Sequence, residues 1–341
     1  VSLRVAVVGA GSMGKNHARV LQTLPSAELV AVIDSDLATA RAVTRLHGGK
    51  AHASIADALA SPLDAAIVAV PTQHHFETSK ALLAAGVHVL VEKPIAATVE
   101  EARTLGAIAE REKRVLAVGH VERFNPAIQL LAKKLAEGAL GRVLEVRARR
   151  VGPFPARIRD VGVALDLGTH DLDVMRFVVG ADVTRVYAET KRAIHTSRED
   201  LVSALLRFDN DVVGVLEVNW LTPTKVRELT VTGERGMFHV DYLTQDLYFY
   251  ENADAAPIGW TEMSVLRGVS EGSMTKLLVR KVEPLRTELE TFLAAVESGD
   301  VSKIVSPEDG TRALELATAV TEASDREAPV SVRRSSAGAS R

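Results

Sequence analysis

The chain of 341 residues has no cysteine, which excludes disulfides, thiolate metal ligands and a thiol nucleophile. Aromatic residues make up only 4% of it, leaving no interleaved platform on which nucleic-acid bases could stack. No uninterrupted apolar run reaches the roughly 20 residues that a membrane-spanning helix needs. The N-terminus leads straight into a strand pattern with no sign of a signal peptide. An excess of one charge is also missing: 41 Lys and Arg stand against 44 Asp and Glu, for a net −3. Such a balance gives no global attraction to nucleic acid or to an anionic membrane. These absences lead us to expect a cytoplasmic protein that binds neither. What is present is ample apolar material, 47% of the chain, at a length that suggests two domains.

The N-terminal segment is the most informative. Gly9, Gly11 and Gly14 follow directly on an apolar run, Leu3 to Val8, and a helical pattern starts at Met13. A second apolar run, Glu28 to Ile33, ends at Asp34, 20 residues after Gly14. This order of strand, glycines, helix, strand and acid is that of a dinucleotide-binding βαβ unit. Gly9 permits a tight turn, Gly11 lets the backbone approach a pyrophosphate, and Gly14 lets the helix pack close to the sheet. Asp34 can accept hydrogen bonds from both ribose hydroxyls of NAD and would repel the 2′-phosphate of NADP. No arginine follows at once to rescue NADP, so NAD is the expected cofactor and NADP the lesser alternative.

The first third of the chain goes on alternating strand runs with helical ones, as in a parallel sheet covered on both faces. Strands are expected at Leu3–Val8, Leu29–Ile33, Ala65–Val70, Val87–Val91 and Val115–Val118, and helices at Met13–Leu24, Leu37–Leu46, His75–Ala85 and Val99–Glu112. After His120 the pattern changes. Asn125-Pro126 can open a helix, with Asn125 as its cap. Strand Val143–Arg150 and a helix over Leu167–Val179 follow, then successive strands from Val183 to Tyr250, more in keeping with an antiparallel sheet. Helices Leu285–Val296 and Asp309–Ala323 come last. The expected division is a cofactor domain over 1–121, a second domain over 122–332 and a loose tail over 333–341.

Two clusters could carry chemistry. Lys93, in Glu92-Lys93-Pro94, lies at the C-terminal end of an expected parallel strand, the edge that lines the ligand crevice in open α/β sheets. A lysine there can stabilise developing charge on a substrate oxygen; the alternative is a surface lysine at a strand end. Asp166 and His170, four residues apart, share one face if a single helix holds both. Histidine can accept a proton near neutral pH, with a carboxylate to orient it. The alternative is a capping acid and an ordinary helix histidine. A divalent ion held by Asp166, His170 and Asp173 ranks low, and no metal is expected.

Gly9-Ala10-Gly11-Ser12-Met13-Gly14-Lys15-Asn16-His17, Glu92-Lys93-Pro94, Asp166 and His170 with Gly162 four residues before Asp166, and Pro307-Glu308-Asp309-Gly310 together resemble the motifs of the Gfo/Idh/MocA oxidoreductases. The likeness covers nearly the whole chain. It implies an α/β protein with an N-terminal Rossmann parallel sheet. A C-terminal α/β domain would follow, with a large, mostly antiparallel open sheet through which subunits pair into a homodimer or homotetramer. It also implies Lys93 as the active-site lysine, His170 as the proton acceptor and Asp166 as its supporting acid. The cofactor would be lined by Gly9, Ala10, Gly11, Ser12, Met13, Gly14, Asp34, Pro71, Thr72, His75, Glu92, Lys93 and Asn125, the last equally well a helix cap. One departure is visible: many members have a Gly-Gly pair before the aspartate, where this chain has Asp160-Val161-Gly162-Val163.

Six arginines (142, 147, 149, 150, 157 and 159) lie between positions 142 and 159, and arginine binds phosphate bidentately. Strand arginines often face solvent instead. The run from Arg149 to Gly162, and Val282-Glu283-Pro284-Leu285-Arg286, resemble the family members that oxidise UDP-N-acetylglucosamine at C3. The expected function is therefore NAD-dependent oxidation of a secondary sugar hydroxyl. Arg149, Arg157, Arg159, Lys93, Asp166 and His170 are the candidate substrate contacts. The alternatives are an inositol or free-sugar dehydrogenase, an NAD-dependent glycosidase of the same family, and a non-catalytic dinucleotide sensor.

Overall fold

The computed structural model describes residues 2–154, 161–194, 197–253 and 271–332. They fold into two compact units. The first takes in residues 2–124 and 282–315, the second the described residues between 125 and 281 together with 316–332.

In the first unit the apolar run Leu3–Val8 is β1, with Val5, Ala6 and Val7 wholly buried. Strands β2 (Ala27–Ile33), β3 (Lys50–His52), β4 (Ala65–Val68), β5 (His88–Glu92) and β6 (Leu116–Gly119) lie parallel to it in the order β3-β2-β1-β4-β5-β6. The order reverses between β1 and β4, and that switch point is where open α/β sheets bind ligands. The joining helices are α1 (Ser12–Leu21), α2 (Leu37–His47), α3 (Ile55–Ala58), α4 (His75–Ala84) and α5 (Val99–Arg111). Local chemistry sets several starts. Asp36 and Ser54 accept backbone N–H bonds at the heads of α2 and α3, and Thr98 with Glu101 forms a reciprocal capping box on α5.

A single cut near residue 121 does not describe this unit, because the chain returns to it. Helix α8 (Pro284–Ser298) places Leu285, Leu289, Phe292 and Leu293 in one apolar core with Val5, Leu21 and Val32. That apolar face needs a partner, and α1 with the first sheet supplies it.

The second unit starts with α6 (Pro126–Ala136), a strand β7 (Val143–Pro153), a π turn over Ala164–Gly168 and α7 (Thr169–Val179). Strands β8 (Val183–Lys191), β9 (Leu201–Phe208), β10 (Val213–Asn219), β11 (Leu221–Gly233), β12 (Gly236–Asp241), β13 (Asp246–Asn252) and β14 (Glu271–Leu277) follow, with β15 (Val330–Ser331) after α9 (Pro307–Asp325). All pairs in this nine-stranded sheet are antiparallel except β7 with β10. The sheet is thus mostly antiparallel, as expected. Along β7, Val146, Ala148 and Arg150 point inward, while Arg147 and Arg149 point outward. The inward face packs with Ile128 and Leu131 of α6 and Leu172 and Met175 of α7. The expected tail, 333–341, lies outside the described residues. Among the described residues no helix is long and apolar enough to cross a membrane.

One buried ion pair pins α7 to the sheet. Arg150 Nε donates to Asp171 Oδ2 at 2.6 Å and its Nη2 to Oδ1 at 3.1 Å, with both side chains 1% exposed. The guanidinium also lies 5.1 Å from the centre of the Tyr242 ring. Arg150→Met takes the cation from a buried carboxylate, and we expect it to cost about 3–5 kcal/mol. Adding Asp171→Leu should recover most of that loss. Urea melts of the three proteins measure both numbers, and a single variant as stable as the parent would contradict this role.

Candidate active site

The glycine loop has the geometry expected of it. Gly9 has φ +97°, and a Cβ there would lie 2.5 Å from the Ala69 carbonyl oxygen. A Cβ on Gly14 would lie 1.8 Å from the Gly9 carbonyl oxygen, so only glycine lets α1 come this close to the loop. Gly11, by contrast, faces open space. It caps α1 with no side-chain hydrogen bond, and Ser12 beside it is exposed. First-turn N–H groups without a side-chain acceptor form a ready anion site. Asp34, at the end of β2, turns toward the same loop. Its Oδ2 accepts the Ala10 N–H at 2.7 Å and its Oδ1 accepts the Asp36 N–H at 2.9 Å. These residues fit a dinucleotide: open amides for its phosphates and a part-exposed carboxylate for ribose hydroxyls.

The next strand end runs beside this loop. The Ala69 N–H donates to Val8 O at 2.7 Å, and the exposed Pro71 and part-exposed Thr72 follow at the head of a 3-10 turn. His75 is placed differently from its expected role. Its ring is 1% exposed, with Nδ1 2.8 Å from Pro94 O and Nε2 2.9 Å from Val70 O. Burial lowers its pKa, against the raising effect of those two carbonyls. His75 therefore ties the β4 loop to the segment after Lys93 and presents no ring edge to a cofactor.

Glu92 likewise acts from within. His17 Nε2 donates to Glu92 Oε1 at 2.8 Å, both residues being buried. Burial pushes the Glu92 carboxyl up, but the hydrogen bond from His17, helped by the nearby Lys93 ammonium, outweighs it and holds the carboxyl below its ordinary range. The adjoining Lys93 is part-exposed at the C-terminal end of β5, and its peptide bond to Pro94 is cis. Glu288 of α8 faces the same region. Burial, and then the charge of Glu92, drive its carboxyl well above the usual carboxylate range. Among the described residues neither carboxyl oxygen has a hydrogen-bond partner.

In the second unit, Asp166 lies in the π turn and His170 in the first turn of α7, both part-exposed. The helical segment begins at Ala164, three residues before the expected Leu167, and begins as a π turn. This changes the simple four-residue register between Asp166 and His170, since a π turn carries an extra residue. Asp171 and Asp173, the next acids, are wholly buried. Among the described residues no group of three or more His, Cys, Asp or Glu side chains is arranged to hold a metal ion.

Two other candidates have different employment. Asn125 is 2% exposed, accepts the Ala127 N–H at 3.1 Å and donates to Tyr242 O at 3.2 Å. It is a helix cap, with its amide engaged at both ends. Arg149 points from β7 to the face opposite α7 and pairs with Glu217 at 3.1 Å, so strand alternation separates it from Asp166 and His170. Arg157 and Arg159 lie outside the described residues. Sequence reasoning did not single out Glu288, though a signal existed: an acid sits among Leu285, Leu289 and Phe292 on the apolar stripe of α8.

Comparison with known proteins agrees with this geometry. The description "Oxidoreductase family, NAD-binding Rossmann fold" matches residues 3–120, and the GFO/IDH/MocA C-terminal domain matches residues 128–239. A UDP-N-acetylglucosamine 3-dehydrogenase of Acidithiobacillus ferrooxidans is 30% identical over 296 residues, 87% of this chain and 89% of that protein. A crystal form of that enzyme superposes with a TM-score of 0.83, covering 96% of this chain and 98% of the other. An inositol 2-dehydrogenase of Rhizobium meliloti is 27% identical, covering 94% of this chain and 96% of that protein. With its glycine loop, its six parallel strands and its mostly antiparallel second sheet, this chain belongs to the Gfo/Idh/MocA family of NAD-binding oxidoreductases.

Proposed function

We propose that the chain oxidises a secondary hydroxyl of a sugar, namely C3 of UDP-N-acetylglucosamine, with NAD as acceptor. The observation that supports this substrate is the similarity to a UDP-N-acetylglucosamine 3-dehydrogenase over 87% of the chain. Bound NAD supplies the hydride acceptor. The open amides at Gly11 to Met13 hold its phosphates, and Asp34 its ribose. Lys93 polarises the substrate oxygen, and the His170 imidazole takes the hydroxyl proton as the carbinol becomes a ketone. Asp166 orients that imidazole. Arg157 and Arg159, close in sequence to Asp166, are the proposed contacts for the diphosphate. The likeness to an inositol 2-dehydrogenase over 94% of the chain supports inositol as the second reading.

The test is appearance of reduced nicotinamide with UDP-N-acetylglucosamine, other UDP-sugars, inositols and free sugars. UDP-N-acetylglucosamine should give the highest kcat/KM, and turnover of inositols alone would overturn the substrate. A coupled carbonyl trap keeps an uphill ketone from masking the signal. Lys93→Met and His170→Ala should each lower kcat by about 10²–10⁴-fold, with NADH affinity nearly unchanged. If both variants turn over like the parent, the roles assigned to these residues are wrong.

Cofactor choice has its own test. Asp34→Asn keeps an oxygen acceptor for the loop but removes the charge that repels a 2′-phosphate. The NAD-to-NADP ratio of kcat/KM should fall by about tenfold, equivalent to about 1.4 kcal/mol. An unchanged ratio would place discrimination elsewhere.

We also propose that the outward face of the second unit's sheet pairs with another copy. Leu205 is 53% exposed there, cross-strand from the exposed Tyr187 and from Val215, and apolar exposure of this kind marks an interface. Light scattering of the parent should report a dimer or tetramer, and Leu205→Glu should shift it toward monomer. A parent that is monomeric at all concentrations would refute the pairing.

A further inference from the structure

The proton acceptor proposed above depends on how its segment is held, and the holding comes from a distant acid. The amides of Val163 and Ala164, at the head of the segment bearing Asp166 and His170, have no helical carbonyl ahead of them to accept their hydrogens. One residue, Glu199, receives both. The Val163 N–H donates to its backbone carbonyl at 3.0 Å, and the Ala164 N–H donates to its Oε1 at 3.1 Å. A negative group at this place also complements the partial positive charge of a helix N-terminus.

The same carboxylate explains Gly162. A Cβ at that position would lie 2.0 to 2.2 Å from the carboxyl atoms of Glu199, so the acid occupies the space a side chain would need. The carbonyl of Gly162 accepts the Asp166 N–H at 3.0 Å. Glu199 thus touches three consecutive residues, 162 to 164, whose backbone fixes where Asp166 leaves the turn.

Glu199 is itself firmly seated. The next residue, Asp200, is wholly buried. Its carboxylate accepts the N–H groups of Ala193 and Ile194 at 2.6 and 2.7 Å. Its own N–H donates to Lys191 O at 2.8 Å, and its carbonyl accepts the Trp220 N–H at 2.9 Å. The clamp is therefore anchored to the ends of β8 and β10 and not to a free loop.

We propose that Glu199 is a positioning residue: by accepting at the head of the π turn and filling the place beside Gly162, it sets the placement of Asp166 and His170 for proton transfer. This rests on the reading of His170 as proton acceptor, while the clamp itself is a statement about the backbone.

Two measurements test it. In hydrogen exchange, Glu199→Ala should deprotect the segment 162–168 relative to the parent, while Glu199→Gln, which keeps an oxygen of similar reach, should leave it protected. In turnover, Glu199→Ala should lower kcat by about 10²-fold, as expected when reacting groups shift by about 1 Å. KM for NAD should stay constant, and Glu199→Gln should restore most of kcat. Gly162→Ala, which displaces the carboxylate, should reproduce the loss, and the double variant should add little to either single one. Unchanged exchange in Glu199→Ala, or additive losses in the double variant, would overturn the proposal. If Glu199→Ala does not fold, Glu199→Asp, which keeps the charge and shortens the reach, takes its place with the same expectations. His170→Ala separates the two ideas. An active His170→Ala refutes the proton acceptor and leaves the exchange result to judge the clamp. An inactive one beside a fully active Glu199→Ala refutes the clamp's catalytic importance alone.

Discussion

The first unit depends on one close approach, that of Gly14 to the carbonyl oxygen of Gly9. Any side chain at Gly14 would push α1 away from β1. With α1 seated, its N-terminal amides stand at the C-terminal end of the sheet. The seating also brings His17, three residues further along the helix, within 2.8 Å of Glu92 on β5. Glu92 adjoins Lys93. The contact that shapes a phosphate loop thus also sets the strand end that offers the lysine, through one hydrogen bond between buried groups.

Buried charge recurs in both units and is handled in different ways. Arg150 and Asp171 neutralise each other at 1% exposure, and the planar guanidinium meets both carboxyl oxygens. Glu92 is held below its ordinary range because the hydrogen bond from His17 and the charge of Lys93 outweigh its burial. Glu288 is pushed the other way, above the usual carboxylate range, by its burial and by the charge of Glu92. Such groups are costly in a core; Asp171 adjoins His170 and Glu92 adjoins Lys93 in the chain.

The Rossmann half was legible because its signals are local: an apolar run, three glycines at fixed spacing, an acid ending the next strand. β3 and α3, at three and four residues, are too short to show a period. The segment 282–315 joins the first unit through side-chain packing, to which sequence order gives no clue. Within the site, Gly9, Gly14 and Asp34 take the places their spacing implies. His75 does not, since its ring is turned inward to the Pro94 and Val70 carbonyls, while Asn125 takes the helix-cap alternative that its place before Pro126 offered. The arginine run shows a different limit. Arg149 and Arg150 are adjacent in sequence and opposite in space, and only the register of β7 says which one meets α7. Glu199 stands 35 residues from the amide it receives, beyond any local pattern.

Asp34 has a consequence for re-engineering coenzyme preference. Its two carboxyl oxygens already hold the amides of Ala10 and Asp36, so the residue is a strut of the glycine turn as well as the proposed discriminator between coenzymes. A redesign that simply swaps in a cation would gain a phosphate ligand and release the backbone that cradles the diphosphate. A workable redesign keeps an oxygen at position 34 and recruits the new positive charge from a neighbouring position on the rim.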